Sequence, residues 1–377
     1  MTGVAGDLPP QAAAEVVPLF SPRRLRLARE ARALTQTEVG RRAGLTSAAI
    51  SQFEKGQARP TESRLSALAD ALEFPAAFFA TGSAPSSLPE LDLDALDGFG
   101  HFRSLRSVTA TQRRAALATT HLLRDIVDAL SRSVRLPPLQ LPRFPLDPVN
   151  DPADAEQIAA AVREAWNIPP GPVADLLRLV ERQGIVVARH GIVSPDVHAY
   201  SGPFPERPVV ILGRDGSKRD RDRHSAAHEL AHLVMHTPGR DLAPQPVEAQ
   251  AHRFAAAFLM PASDIIDELP SRPDWAALQI LKQRWGTSMA SLLRRAWTLG
   301  VMAESTYQQA MKTMGSRGWR YQEPGDVGVP ESPALLAAAV DLAGTSAVEL
   351  SLRTGWPTAQ IAAVLSDSTD PRPALTL

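Results

Sequence analysis

The pentapeptide His228-Glu229-Leu230-Ala231-His232 constrains this chain more than any other feature. In a helix, residues four apart project from one face, one turn above the other. Two imidazoles so placed can share one Zn²⁺, and the glutamate beside the first can act as general base toward water that the metal activates. Leu230, Leu233 and Val234 supply an apolar face, and Thr237-Pro238-Gly239 ends the predicted helix. Two histidines do not complete a tetrahedral site, so a further ligand must follow. Sixteen residues after His232 stands Glu248, near the start of an alanine-rich apolar stretch that runs to Met260-Pro261. That stretch predicts a second helix, stopped by proline. With Glu248 as third ligand, a fourth position stays open, as a catalytic zinc site requires. Gln250 is the weaker candidate, because an amide is a poor zinc ligand. His252 lies one turn after Glu248 on the same face, placed to hydrogen-bond a ligand. His224 and His236 continue the i+4 stripe and read as its polar flanks, His236 suiting the negative end of the helix dipole.

A second pattern lies near the N-terminus. Arg23–Ala33 reads as an amphipathic helix with Leu25, Ala28 and Leu34 inward. Thr35 caps the next helix, and Glu38 three residues on completes a capping box. Gly44 ends that helix, Leu45 plugs the turn, and Thr46 caps Ser47–Glu54. Two short helices joined by a glycine turn form a helix-turn-helix. Ile50 and Phe53 face inward, which leaves Ser47, Ala48, Ala49, Ser51 and Gln52 to meet a groove. Thr61–Glu73 and Pro75–Ala80 read as a fourth and a fifth helix. Residues 21–80 carry ten basic and six acidic residues in a chain of net charge −1, so the positive excess is concentrated where DNA would bind. Arg41 is a candidate phosphate contact.

The chain of 377 residues is long enough for two or three domains with real cores. It has no cysteine, which excludes disulfides and thiolate zinc sites, so any metal must be held by nitrogen and oxygen. No run of eighteen apolar residues exists, and the start lacks a basic n-region and carries Asp7 and Glu15. These features predict a cytoplasmic protein without a membrane span. Between the two motifs, Thr109–Val134 reads as one long helix with Leu117, Leu122, Ile126 and Leu130 at helical spacing. Pro137–Pro152 is a proline-rich break, Asp154–Trp166 and Pro172–Gln183 are helices, and Gly184–Ala188 and Pro208–Leu212 read as strands. Trp275–Arg295 keeps helical register. Leu335–Leu365 reads as a small helical cap that could hold another helix-turn-helix.

The residues HELAHLVMH, followed by EAQAHRFAAAFLMP, resemble the ImmA/IrrE family of gluzincin-type metallopeptidases. Position by position, the resemblance implies zinc ligands His228, His232 and Glu248 and the catalytic base Glu229. His252 departs from the family pattern, which more often has Asn or Asp there. The run from Leu34 to Glu73 resembles the XRE (Cro/C1-type) repressor domain over its whole length. That resemblance implies a helix opening at Thr46 that enters the major groove, Gln36 near a phosphate, and DNA-facing roles for Ser47, Ala48 and Gln52.

The fold class expected is mainly α with a small β-sheet. A five-helix lambda-repressor-like helix-turn-helix domain would precede an α+β gluzincin-like domain and a C-terminal helical region. The divisions read as a disordered tail over 1–20, the DNA-binding domain over 21–82, a linker over 83–100 and a helical connector over 101–150. The zincin domain would follow over 151–270, with a helical extension over 271–330 and a helical cap over 331–377. The leading reading is a regulator of double-stranded DNA, binding an inverted-repeat operator as a homodimer. Its Zn²⁺ peptidase domain would cleave a protein partner, such as an XRE-type repressor, or itself. Two alternatives are a zincin domain that acts only as a metal, ligand or partner sensor, and an antitoxin-like protein whose domain only grips a partner. Intact Glu229 favours catalysis, since a sensor needs the ligands but not the base.

Overall fold

The computed structural model describes residues 13–80, 109–147, 150–190, 199–202, 204, 206–213, 218–236 and 244–366. Among these, the chain begins with α1 (Ala13–Val16) and a 3₁₀ turn (Val17–Leu19). The disordered tail expected over 1–20 is therefore corrected from residue 13 onward. Val16 and Phe20 are buried, Phe20 bridges to Ala80, and its ring meets Phe53 edge-on. Their burial outweighs the alanine- and proline-rich composition that suggested disorder.

The repressor-like domain continues with α2 (Pro22–Ala31), α3 (Gln36–Ala43), α4 (Ser47–Glu54) and α5 (Glu62–Leu72). Its last element, Ala76–Phe79, is a 3₁₀ turn where a fifth helix was expected. Thr35 and Glu38 form the capping box, Thr46 accepts from the Ala49 N–H, and Gly44 has φ +65°. Gly40 is the second glycine this turn demands. A Cβ there would stand 2.7 Å from the Leu45 carbonyl oxygen, so only a hydrogen lets α3 press against the turn.

After α6 (Ala110–Ser131) the chain runs extended, so the connector expected over 101–150 is helical only in part. The proline-rich stretch fits against the later core, where Phe144 N–H and Leu146 N–H donate to the carbonyls of Val234 and Met235. The linker expected over 83–100 lies outside the described residues. Helices α7 (Asp154–Ala165) and α8 (Leu176–Arg182) lead to the strands β1 (Val186–His190), β2 (Ala199–Gly202) and β3 (Val209–Gly213). β3 is central, parallel to β1 and antiparallel to β2. The sequence reading missed β2, because Ala-Tyr-Ser-Gly is too short and too mixed to show a strand period.

Helix α9 (Arg219–Met235) carries the HELAH segment and α10 (Pro244–Leu259) carries Glu248. The short α11 (Ala262–Ile265) follows, then α12 (Trp275–Trp285), α13 (Met289–Thr298) and α14 (Glu304–Ser316). The single helix expected over Trp275–Arg295 breaks at Gly286, φ +61°, and restarts under the Ser288 cap. The chain closes with α15 (Leu335–Ala343), α16 (Ala347–Thr354) and α17 (Thr358–Ser366).

Two buried cores result, and they do not follow the order of the chain. One joins the repressor-like domain, α6, one face of the sheet and α15–α17. The other joins α7 to α14 with the opposite sheet face. The C-terminal helices thus pack on the N-terminal domain, Trp356 lying against Phe74 and Phe78 at 5.5 and 5.1 Å between ring centroids. No single described helix is long and apolar enough to cross a membrane. Substituting Gly40→Ala is expected to destabilise the N-terminal domain by about 1–3 kcal/mol, as overpacking does. Chemical denaturation followed by circular dichroism measures it, and Gly44→Ala, in open space but at φ +65°, isolates the cost of backbone strain alone, about 1 kcal/mol.

Candidate metal centre and DNA-binding face

Helices α9 and α10 bring the sequence-predicted triad together. His228 Nε2 and His232 Nε2 lie 3.1 Å apart. Glu248 places Oε2 3.2 Å from the first and Oε1 3.5 Å from the second. All three ligand atoms fall within 4.8 Å of one another, and no other described group of three or more does so. Zn–N bonds of about 2.0–2.1 Å at the tetrahedral angle separate two ligand atoms by roughly 3.3 Å, so the spacing suits that ion. Glu248 Oε1 and His228 Nδ1 are buried and have no hydrogen-bond partner among the described residues. Two imidazole nitrogens and a carboxylate that converge in a largely buried space, with Glu248 Oε1 left unpaired, suit a cation, and the residues fit one. Burial alone would raise the Glu248 carboxyl. The hydrogen bond and charge of His228, with His252 and His236 behind, hold it below its usual range instead.

A relay fixes the tautomer of His232. Gln250 donates from Nε2 to the carbonyls of Asp147 (2.9 Å) and Asn150 (3.3 Å), so its Oε1 faces His236 Nε2 at 3.2 Å. That nitrogen must carry a proton. His236 Nδ1, 2.9 Å from His232 Nδ1, is then the acceptor and His232 Nδ1 the donor. The lone pair of His232 Nε2 is left pointing at His228 and Glu248. Sequence reasoning treated His236 as a polar flank and Gln250 as a rejected ligand. Their real place is as supports, and the i+4 stripe ending at His236 was the available signal.

Glu229 is 1% exposed, and burial pushes its carboxyl up to about 7. Ser201 Oγ donates to Glu229 Oε2 at 2.7 Å from the edge strand β2. Ser201 was invisible in the sequence because the strand that carries it was not recognised. His252 does not bond a member of the triad. Its Nδ1 lies 3.3 Å from His224 Nε2, and its ring packs on His228 at 4.5 Å. Burial pushes His224 down to about 3 and His252 to about 4, with neighbouring His228 and Arg294 adding to both shifts.

In the repressor-like domain, Ser47, Ala48, Gln52 and Arg41 are exposed and Ser51 is half-buried along α3 and α4. Gln36 is held instead: its Nε2 donates to Glu54 Oε2 at 2.8 Å, while Arg29 pairs with the same carboxylate. It braces α3 on α4.

Fold and site together define a helix-turn-helix protein fused to a metallopeptidase-like domain. Comparison with known families agrees. A helix-turn-helix domain matches residues 23–79, and an IrrE N-terminal-like domain matches residues 180–296. The chain carries both modules, which supports DNA binding and regulation of transcription. No curated protein matches the chain. Metal affinity should fall about 10–100-fold in Gln250→Ala or His236→Ala, the usual cost of losing an outer partner. Zinc competition against a fluorescent chelator measures this, and His228→Ala should abolish binding.

Proposed function

We propose that this protein is a DNA-binding regulator whose zinc peptidase domain cleaves a polypeptide, either a partner such as a repressor or its own chain. The observation that carries this reading is buried Glu229, held by Ser201 beside the His228–His232–Glu248 triad. When bound, Zn²⁺ supplies Lewis acidity toward the scissile carbonyl and toward water. Glu229 takes the proton from the attacking water and delivers it to the leaving amine, and a carboxyl raised to about 7 suits both transfers near neutral pH. Ser201 holds one carboxylate oxygen and so fixes the position of the carboxylate beside the triad. β2 is the edge strand of the described sheet, where an extended polypeptide can add a strand.

Glu229→Gln is expected to keep zinc and the fold while lowering the cleavage rate of partner or self by about 10²–10⁴-fold, the range of general acid–base catalysis. Mass spectrometry of the zinc-loaded protein, alone and with candidate repressors, reads this out. A sensor role is favoured by one observation, the first core, which runs unbroken from the repressor-like domain to the sheet beneath α9. In that case a reporter gene responds to loss of a ligand histidine but not to Glu229→Gln.

For DNA we infer an inverted-repeat operator read by a homodimer through Ser47, Ala48, Ser51 and Gln52, with Arg41 on the phosphates. Gln52→Ala should cost about 1–3 kcal/mol of discrimination between sites. Arg41→Ala should weaken all sequences alike and reduce the salt slope by roughly one. Equal affinity of the wild type for native and scrambled upstream DNA argues against sequence-specific regulation.

A further inference from the structure

A cavity of ≈ 590 Å³ opens beside the metal centre, between α9 and the segment from α13 to residue 330. His224, which touches His252 and the ring of His228, forms its rim on the metal side. The floor is apolar, with Met311, Met314 and Trp319. The walls are charged, and their pairing decides what the cavity can hold. Lys282 is consumed by Glu323 at 3.0 Å, with Asp220 at 4.0 Å, and Glu323 also accepts the N–H groups of Met289 and Ala290. Arg219 donates to the carbonyls of Val327 and Ala174 and lies 3.7 Å from Glu331. Asp326 accepts the Gly328 N–H. Among the described residues, Lys218 donates to the Tyr321 carbonyl.

Arg221 and Arg320 face the cavity with no side-chain hydrogen bond or ion pair among the described residues. Arg294, one turn beyond the lining residues Ala290 and Ser291 on α13, lies outside the cavity lining, and its charge is felt by both His224 and His252. Lys218, Arg219, Arg221, Lys282 and Arg320 outnumber the carboxylates of Asp220, Glu323 and Asp326 around one concavity, and low-dielectric walls focus the positive potential that results. The planar forks of the arginines are suited to carboxylates in bidentate contact.

We infer that this cavity binds acidic side chains of a polypeptide, holding a segment that flanks the bond presented to the metal centre. This rests on the peptidase reading for its purpose, but the binding itself needs no turnover. A polypeptide fits better than a free small anion for a structural reason. His224 lines the cavity and its ring lies 6.5 Å from that of His228, so a chain held in the cavity continues into the metal centre, a continuity that a free anion does not use.

The test uses the full-length, zinc-loaded Glu229→Gln protein and fluorescence anisotropy. The probes are a fluorescein-labelled peptide with two adjacent glutamates in an alanine–serine background and its diglutamine analogue. The glutamate peptide should bind at least tenfold tighter. Arg221→Ala/Arg320→Ala should remove that difference with an unchanged melting temperature, and Arg221→Glu/Arg320→Glu should reverse it toward a dilysine peptide. Arg41→Ala, on the DNA-binding face, should leave it untouched. Equal affinity for the two peptides overturns the proposal, as does loss of binding in Arg41→Ala alone. Displacement by free glutamate as effective as by unlabelled peptide also overturns it, in favour of a small-anion pocket. Incubation with wild-type protein separates the two readings: selective binding without cleavage fails the peptidase reading and leaves the acidic site standing.

Discussion

Successive residues of a strand point to opposite sides, and here both sides are dry. Val186, Ala188, Val209 and Ile211 enter the core shared with the repressor-like domain, while Val187, Val210 and Leu212 enter the core that backs α9. A sheet buried on both faces must be covered twice, and the chain covers it with α6 on one side and the metal helix on the other. The same alternation carries Tyr200 into the first core and turns Ser201 toward Glu229. The general-base candidate is therefore held by the element that separates the two modules.

Buried charge then ties the ends of the chain to that frame. Glu331 accepts the N–H groups of Leu176 and Leu177 at the start of α8 and pairs with Arg223, one turn and a residue before His228 on α9. Arg189 of β1 donates to the Glu331 carbonyl and pairs with Asp222. Glu181 accepts the N–H groups of Ala334 and Leu335 and so caps α15. From there α15–α17 cross to the repressor-like domain, where Arg24 donates to the Thr354 carbonyl, while Trp356 donates to Asp125 on α6. Removing one member of such a network strands a buried charge, so these contacts hold position more than they add net stability. They give the helix that carries His228 and His232 a continuous physical link to the helix-turn-helix.

The local code was legible because it depends on neighbours in sequence. Thr35 with Glu38, Gly44 and Thr46 are placed by capping and chirality, which act within one turn, and the structure has each where the sequence put it. The His228–His232 pair is a consequence of helical pitch. Even Glu248, across a segment of sixteen residues, was marked by an apolar helix with a carboxylate near its start. What was not legible depends on partners distant in the chain. Val16 and Phe20 became ordered only because a core lay beneath them, and the break at Gly286 lies inside an otherwise unbroken helical period.

The sequence by itself thus determined the two modules, the helices that carry their chemistry, and the identity of three convergent side chains of metal-ligating type and a neighbouring carboxylate. Tertiary structure alone decided that Ser201 orients Glu229, that Gln250 and His236 set the tautomer of His232, and that Gln36 braces Glu54. It alone also brought the C-terminal helices back onto the N-terminal domain. The physical reason is the range of the forces: propensity, pitch and capping act over a few residues and can be read in order. Burial and hydrogen-bond satisfaction are settled by whichever distant groups the packed sheet brings within about 3 Å.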